Sequence, residues 1–91
     1  MKPYRSRSRL VMDLLAAIER EGPVGVTRLL LVANLTHAKL VELLDAFAER
    51  GWIENAPDEE RARWRLTPAG ARVLGDLRRV DAVMQDYGLG L

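Results

Sequence analysis

Cysteine is absent from this 91-residue chain, and histidine occurs once, as His37. The first absence excludes a disulfide framework and any thiolate metal site. The second excludes a cluster of His ligands within one chain. Aromatic residues are scarce (two Trp, two Tyr, one Phe), so a core has to be built mainly from Leu, Val, Ala and Ile. Long apolar runs are missing too. The longest, such as 29–33, are far too short to span a bilayer. The chain opens on basic residues, but no long apolar region follows, as a secretory signal requires. The expected location is the cytoplasm. There is no glycine-rich phosphate loop, and one His without a paired nucleophile motif does not make a triad. The expectation is therefore a non-enzyme that uses no cofactor, metal or evident small-molecule ligand and touches no membrane.

What is present suits one domain with one core. Hydrophobic residues make up 48% of the chain, too many for a disordered tail. Net charge is only +1, so overall basicity gives a nucleic-acid partner weak support. The placement of the charges has to decide. Arginines predominate over lysines, a preference that genomic base composition alone could explain.

Residues 1–7, with Lys2, Arg5 and Arg7, form a basic arm without apolar periodicity. Ser8 is placed to cap a first helix whose stripe is Leu10, Val11, Leu14, Leu15 and Ile18. Gly22-Pro23 stops it. Val24-Gly25-Val26 suits a minimal strand, and Thr27 a cap for a short helix over 28–33. Asn34-Leu35 makes a turn, and Thr36 is a good N-cap for a third helix. That helix puts Leu40, Leu43, Leu44 and Phe47 on one face and ends at Gly51 in the C′ position. Two strand-like segments, 52–55 and 63–66, flank a tip over 56–62 that carries the turn signal Pro57-Asp58. Thr67-Pro68 is an N-cap with proline at the first helical position. The last helix runs to about Tyr87, and Gly88 and Gly90 fray its end.

The order is helix, short strand, helix, turn, helix, hairpin, helix. This is mainly α with a small β-hairpin: a helix-turn-helix followed by a wing over 8–70. A long C-terminal helix over 68–87 and a frayed tail over 88–91 complete the chain.

The string Val32-Ala33-Asn34-Leu35-Thr36, then Leu40, Leu44, Arg50-Gly51-Trp52-Ile53-Glu54 and Trp64-Arg65-Leu66-Thr67-Pro68-Ala69-Gly70, resembles the archaeal winged helix-turn-helix regulators. Each motif is short, but their order and spacing are shared over roughly residues 8 to 80. The resemblance implies double-stranded DNA binding without enzyme activity. It covers promoter-binding regulators and small abundant DNA-binding proteins that dimerise through an antiparallel C-terminal coiled coil.

In such a motif the third helix enters the major groove by its N-terminal residues. Thr36 can offer a hydroxyl or backbone N–H to a phosphate, and His37 and Lys39 lie within reach of bases or phosphates. The same outward face holds Ala38 and Val41, and also Glu42 and Asp45, which repel phosphates. The alternative is an ordinary solvated face. Arg61, Arg63 and Arg65 alternate, so period two puts them on one face of the returning strand, with Trp64 turned to the core. Such a face suits phosphates or a minor groove. The alternative is a surface paired with Asp58, Glu59 and Glu60. Arg28 at the start of the second helix is a candidate phosphate clamp. Arg5 and Arg7, with Arg9 following, either lie along DNA or form a solubilising end.

Gly70, Ala71 and Leu74 suffice to close the core from the last helix. Its stripe nevertheless continues through Val73, Leu77, Val80, Met84 and Tyr87 in steps of four and three. That is the seam of a coiled coil, and a homodimer through this helix is expected. The competing arrangement packs Val73, Leu77 and Val80 onto the first helix of the same chain. Two functional classes remain: a backbone-dominated, weakly specific DNA binder of the nucleoid, or a protein-interaction module within a larger assembly. Open wing arginines favour the first, and arginines tied to local carboxylates favour the second.

Overall fold

A computed structural model describes residues 5–56 and 61–91. The expected basic residue Lys2 and the hairpin-tip residues Pro57, Asp58, Glu59 and Glu60 lie outside them. Helix α1 spans Arg7–Glu21, α2 Val26–Ala33 and α3 His37–Glu49. Strands β1 (Ile53–Asn55) and β2 (Trp64–Leu66) follow, then α4 (Pro68–Asp86). The strands pair antiparallel, with Ile53 opposite Leu66 and Asn55 opposite Trp64. This is a mainly helical winged helix-turn-helix with a long last helix.

The core is what the sparse aromatic content demands. Its fully buried side chains are Leu14, Leu15, Ile18, Leu29, Leu40, Leu43, Leu74 and the lone Phe47. At about 25 cal/mol per Å2 of apolar surface, each buried Leu or Ile contributes roughly 1.5–3 kcal/mol. Among the described residues no polar side chain is buried. Leu10 and Val11, expected in the α1 stripe, are only partly buried, while Met12 belongs to the buried core.

Several caps stand where expected. Thr36 and Thr67 cap α3 and α4 by accepting the N–H of Lys39 and Gly70. Asn34 takes the left-handed conformation, with φ 53°, that closes α2. Gly51 follows the α3 cap with φ +73°, a conformation that costs a glycine little.

Other local expectations are corrected. Helix α1 is capped by Ser6, not Ser8: the Ser6 hydroxyl accepts the Arg9 N–H at 3.0 Å, so the basic arm ends before Arg7. Helix α2 starts at Val26 behind Gly25, without a side-chain cap, so Thr27 lies within its first turn. The reason is tertiary. Val24 exchanges both backbone hydrogen bonds with Trp64 (2.9 and 2.8 Å), and the chain turns into the helix directly after this bridge. Of the expected Val24-Gly25-Val26 strand only Val24 pairs. Ala71 is exposed and closes no core. The C-terminal residues turn back instead of fraying: the N–H groups of Gly88 and Leu89 bond the carbonyls of Gln85 and Met84, and the Leu91 N–H bonds Asp81 at 2.9 Å.

Gly70 marks the tightest approach. A Cβ there meets the Trp52 carbonyl oxygen well inside van der Waals contact, and the Leu66 Cδ1 at 2.8 Å. The Trp52 carbonyl also accepts the Thr67 N–H at 3.0 Å, so it is pinned and cannot retreat. Gly70→Ala is expected to cost about 2–3 kcal/mol by overpacking, a Tm lowered by roughly 10–20 °C in thermal melts. An unchanged Tm contradicts so close a junction between the wing and α4.

Candidate nucleic-acid interface

The candidate residues gather in two groups. The first surrounds the N-terminus of α3. Thr36 and His37 are exposed, and the Thr36 hydroxyl, while accepting from Lys39, keeps its own proton to donate. The first turn of α3 carries no acidic residue, so the positive end of the helix dipole is uncompensated there. Lys39 lies 3.5 Å from Glu42, and Arg7, at the start of α1, lies 3.9 Å from the same carboxylate.

The outward face beyond that first turn is acidic. Glu42, Asp45 and Glu49 are all exposed, opposite the buried Leu40, Leu43, Leu44 and Phe47. Glu49 extends the stripe that Glu42 and Asp45 begin. Val41 and Ala38 offer apolar contact only. A duplex approaching this element therefore meets favourable groups at its N-terminus and carboxylates along its length.

The second group lines a cleft of about 570 Å3 between the start of α2 and the wing. Arg28 and Thr27 stand on one wall, Arg61, Ala62 and Arg63 on the other, with Pro23 and Val24 between. The first turn of α2 also lacks an acid and a side-chain cap, so its first N–H groups lack intrahelical partners. Glu21 sits at the rim, 2.7 Å from Arg28, and that charge-assisted hydrogen bond holds its carboxyl below the usual carboxylate range. Arg65 is set apart from Arg61 and Arg63. It lines a neighbouring groove with Leu66 and Pro68, and Glu54 holds it at 2.7 Å from the paired position on β1. The three wing arginines are all exposed, but they do not share one cleft. Trp64 is partly buried against the core between Arg63 and Arg65.

Arg5 stands elsewhere. Its guanidinium donates to the carbonyls of Asn34 (2.9 Å) and Ala33 (3.3 Å) and to Asp13 (3.3 Å). Arg5, expected along DNA, is thus held here by the carbonyls ending α2 and by Asp13.

A family model described as winged helix-turn-helix matches residues 4–85. The chain belongs to that family. No curated protein matches it. As a winged helix-turn-helix protein it carries a motif whose usual work is DNA binding and not catalysis. Among the described residues no group of His, Asp or Glu is arranged to hold a metal ion, and no helix is long and apolar enough to cross a membrane. In this winged helix-turn-helix the wing and the start of α2 bring Arg28, Arg61 and Arg63 to one cleft. The pairing of Arg65 with Glu54 was open to inference from hairpin register. The cleft was not, because it depends on how α2 is hung from Val24.

The last helix divides its apolar residues between two tasks. Val73 and Leu77 pack partly buried against the core of their own chain, as in the competing arrangement. Val80, Val83 and Tyr87 are 51%, 55% and 76% exposed, and Met84 is half-buried. Val83 fell outside the four-three stepping, yet with Val80 and Tyr87 it forms an i, i+3, i+7 stripe on one face. The exposed stripe thus shares Val80 and Tyr87 with the heptad pattern and takes Val83 where that pattern takes Met84.

Proposed function

We propose that this protein binds double-stranded DNA mainly through its phosphates, with weak sequence preference, as a regulator or chromatin-type protein of the nucleoid. The observation that carries the reading is the cleft between α2 and the wing. It combines Arg28, Arg61 and Arg63 with an acid-free helix start in a winged helix-turn-helix chain. Thr36, His37 and Lys39 supply a second contact at the start of α3, with Arg7 beside them. The carboxylates on α3 argue against extensive base readout, because the phosphates flanking the major groove repel them and acceptor-only side chains can read little beyond the amino groups of cytosine and adenine.

The ion pairs support the second reading, an interaction module. Arg28, Arg65, Lys39 and Arg7 each have a carboxylate within 4.0 Å. Magnitudes keep DNA binding ahead. Exposed pairs of this kind are worth about 0–1 kcal/mol, and neutralising DNA phosphates also releases condensed counterions. A phosphate can therefore displace Glu21 or Glu42 from its arginine or lysine.

The exposed seam Val80, Val83, Tyr87, with Met84 at its margin, supports a homodimer through α4. The helix is 19 residues long, about 28 Å at 1.5 Å per residue. A two-fold pair presents two α3 N-termini and two wings. The functional test is binding of a labelled 30-base-pair duplex of random sequence at about 50 mM salt. Saturable binding is expected. No binding leaves the interaction-module reading standing.

A further inference from the structure

We infer that Asp13 is a positioning residue for the helix-turn-helix, tying the α2–α3 turn and the far half of α4 to one point on α1 through two arginines. The inference rests on the DNA-binding reading for its functional consequence and on contacts alone for its structural one. Asp13 Oδ2 accepts Arg5 Nη1 at 3.3 Å, and Asp13 Oδ1 lies 3.1 Å from Arg9 Nε. Arg5 reaches one way, its Nη2 donating to the carbonyls of Asn34 and Ala33. Arg9 reaches the other way, its Nη1 donating to Asp81 Oδ2 at 3.4 Å. Asp81, with a side chain 17% exposed, accepts the Leu91 N–H on its other oxygen.

Each interaction answers a local need. The last carbonyls of α2 have no intrahelical partner, and Asn34 in the left-handed conformation breaks the helix there. A planar guanidinium holds two carbonyl oxygens and a carboxylate at once, which an ammonium on a flexible stem does poorly. Asp13 gives both arginines one anion, and without it two cations are left adjacent, Arg9 held by Asp81 alone and Arg5 by carbonyls alone. Thr36 and His37 follow Asn34 by two and three residues, so play in that turn is play in the N-terminus of α3. The same carboxylate steadies the α4 segment that carries the exposed seam.

Asp13→Asn and Arg5→Ala in the full chain test this by amide exchange and by duplex binding. The amides of Lys39 and Leu40, bonded to Thr36, report on the turn, and those of Leu89 and Leu91 report on the end of α4. Asp13→Asn is expected to speed exchange about tenfold at both ends, and Arg5→Ala at the turn alone, with global stability retained. Affinity for the random duplex falls about fivefold in each variant with the salt slope unchanged, because the same phosphates stay neutralised. A slope shallower by about one unit in Arg5→Ala makes Arg5 a phosphate ligand and overturns the proposal. Unchanged exchange in Asp13→Asn also overturns it. Should either variant unfold, Arg5→Lys keeps the charge and removes the fork. Faster exchange at Lys39 and Leu40 is then expected, and unchanged exchange refutes the clamp. Exchange needs no DNA, so a wild-type protein that ignores the duplex defeats the functional reading without touching this measurement.

Discussion

Val80→Asp with Val83→Asp is expected to turn the proposed α4 dimer into a folded monomer, read by light scattering on a sizing column at about 100 μM. Both valines are more than half exposed on the single chain and neither belongs to the core, so the folded monomer tolerates the change. In a helix pair the same side chains are buried against a partner. An unpaired carboxylate there costs several kcal/mol, and at about 1.4 kcal/mol per tenfold the dimer constant falls by two or more orders of magnitude. Leu77→Asp behaves differently. Leu77 packs against the core that Leu74 completes, so a carboxylate there lowers Tm sharply instead of yielding a clean monomer. A double variant that keeps the dimer mass places the interface elsewhere. A wild-type protein monomeric at this concentration removes the dimer.

Arg61→Ala with Arg63→Ala weakens binding to every duplex alike. Two exposed ion pairs to phosphate at about 1 kcal/mol each correspond to a loss of roughly 30-fold. The log–log salt slope becomes shallower by about two units, one for each guanidinium removed. Arg65→Ala has a much smaller effect, because Arg65 lies in a different groove. The contrast separates the cleft from general wing basicity. Equal losses from all three arginines would mean that the strand acts as one face and that the cleft has no special part. Full affinity in the double variant removes the wing from the site.

The elements announced by local chemistry were legible in the residues. Thr36, Thr67-Pro68, Asn34 and Gly51 act within a few residues of themselves, so their sequence context is also their structural context. Ser6 and Ser8 show the limit. Both precede the apolar stripe, and only the geometry of the Arg9 N–H decides between them. The start of α2 was hidden because its cause is a bridge from Val24 to Trp64, forty residues away in the chain. Arg5 was hidden for the same reason: a basic residue in an apparent arm gives no local sign that carbonyls of Ala33 and Asn34 await it. Alternation correctly placed the wing arginines on the surface, but it could not show that Glu54 claims one of them while α2 faces the other two. On α4 the heptad pattern merged two overlapping stripes. One closes the core through Val73 and Leu77, and the other, through Val80, Val83 and Tyr87, is left outside.

If the surface of this winged helix-turn-helix meets phosphates and not chiefly bases, salt must govern its affinity. The deciding measurement is binding of the intact protein to a random 30-base-pair duplex as salt is raised from about 50 to 300 mM. Arg28, Arg61, Arg63, Lys39 and Arg7 are the cations placed to contribute. A linear log–log fall is expected, with a slope of about −3 to −5 for each bound protomer, little changed by duplex sequence. A slope near zero, or no binding at the lowest salt, would contradict phosphate-dominated recognition.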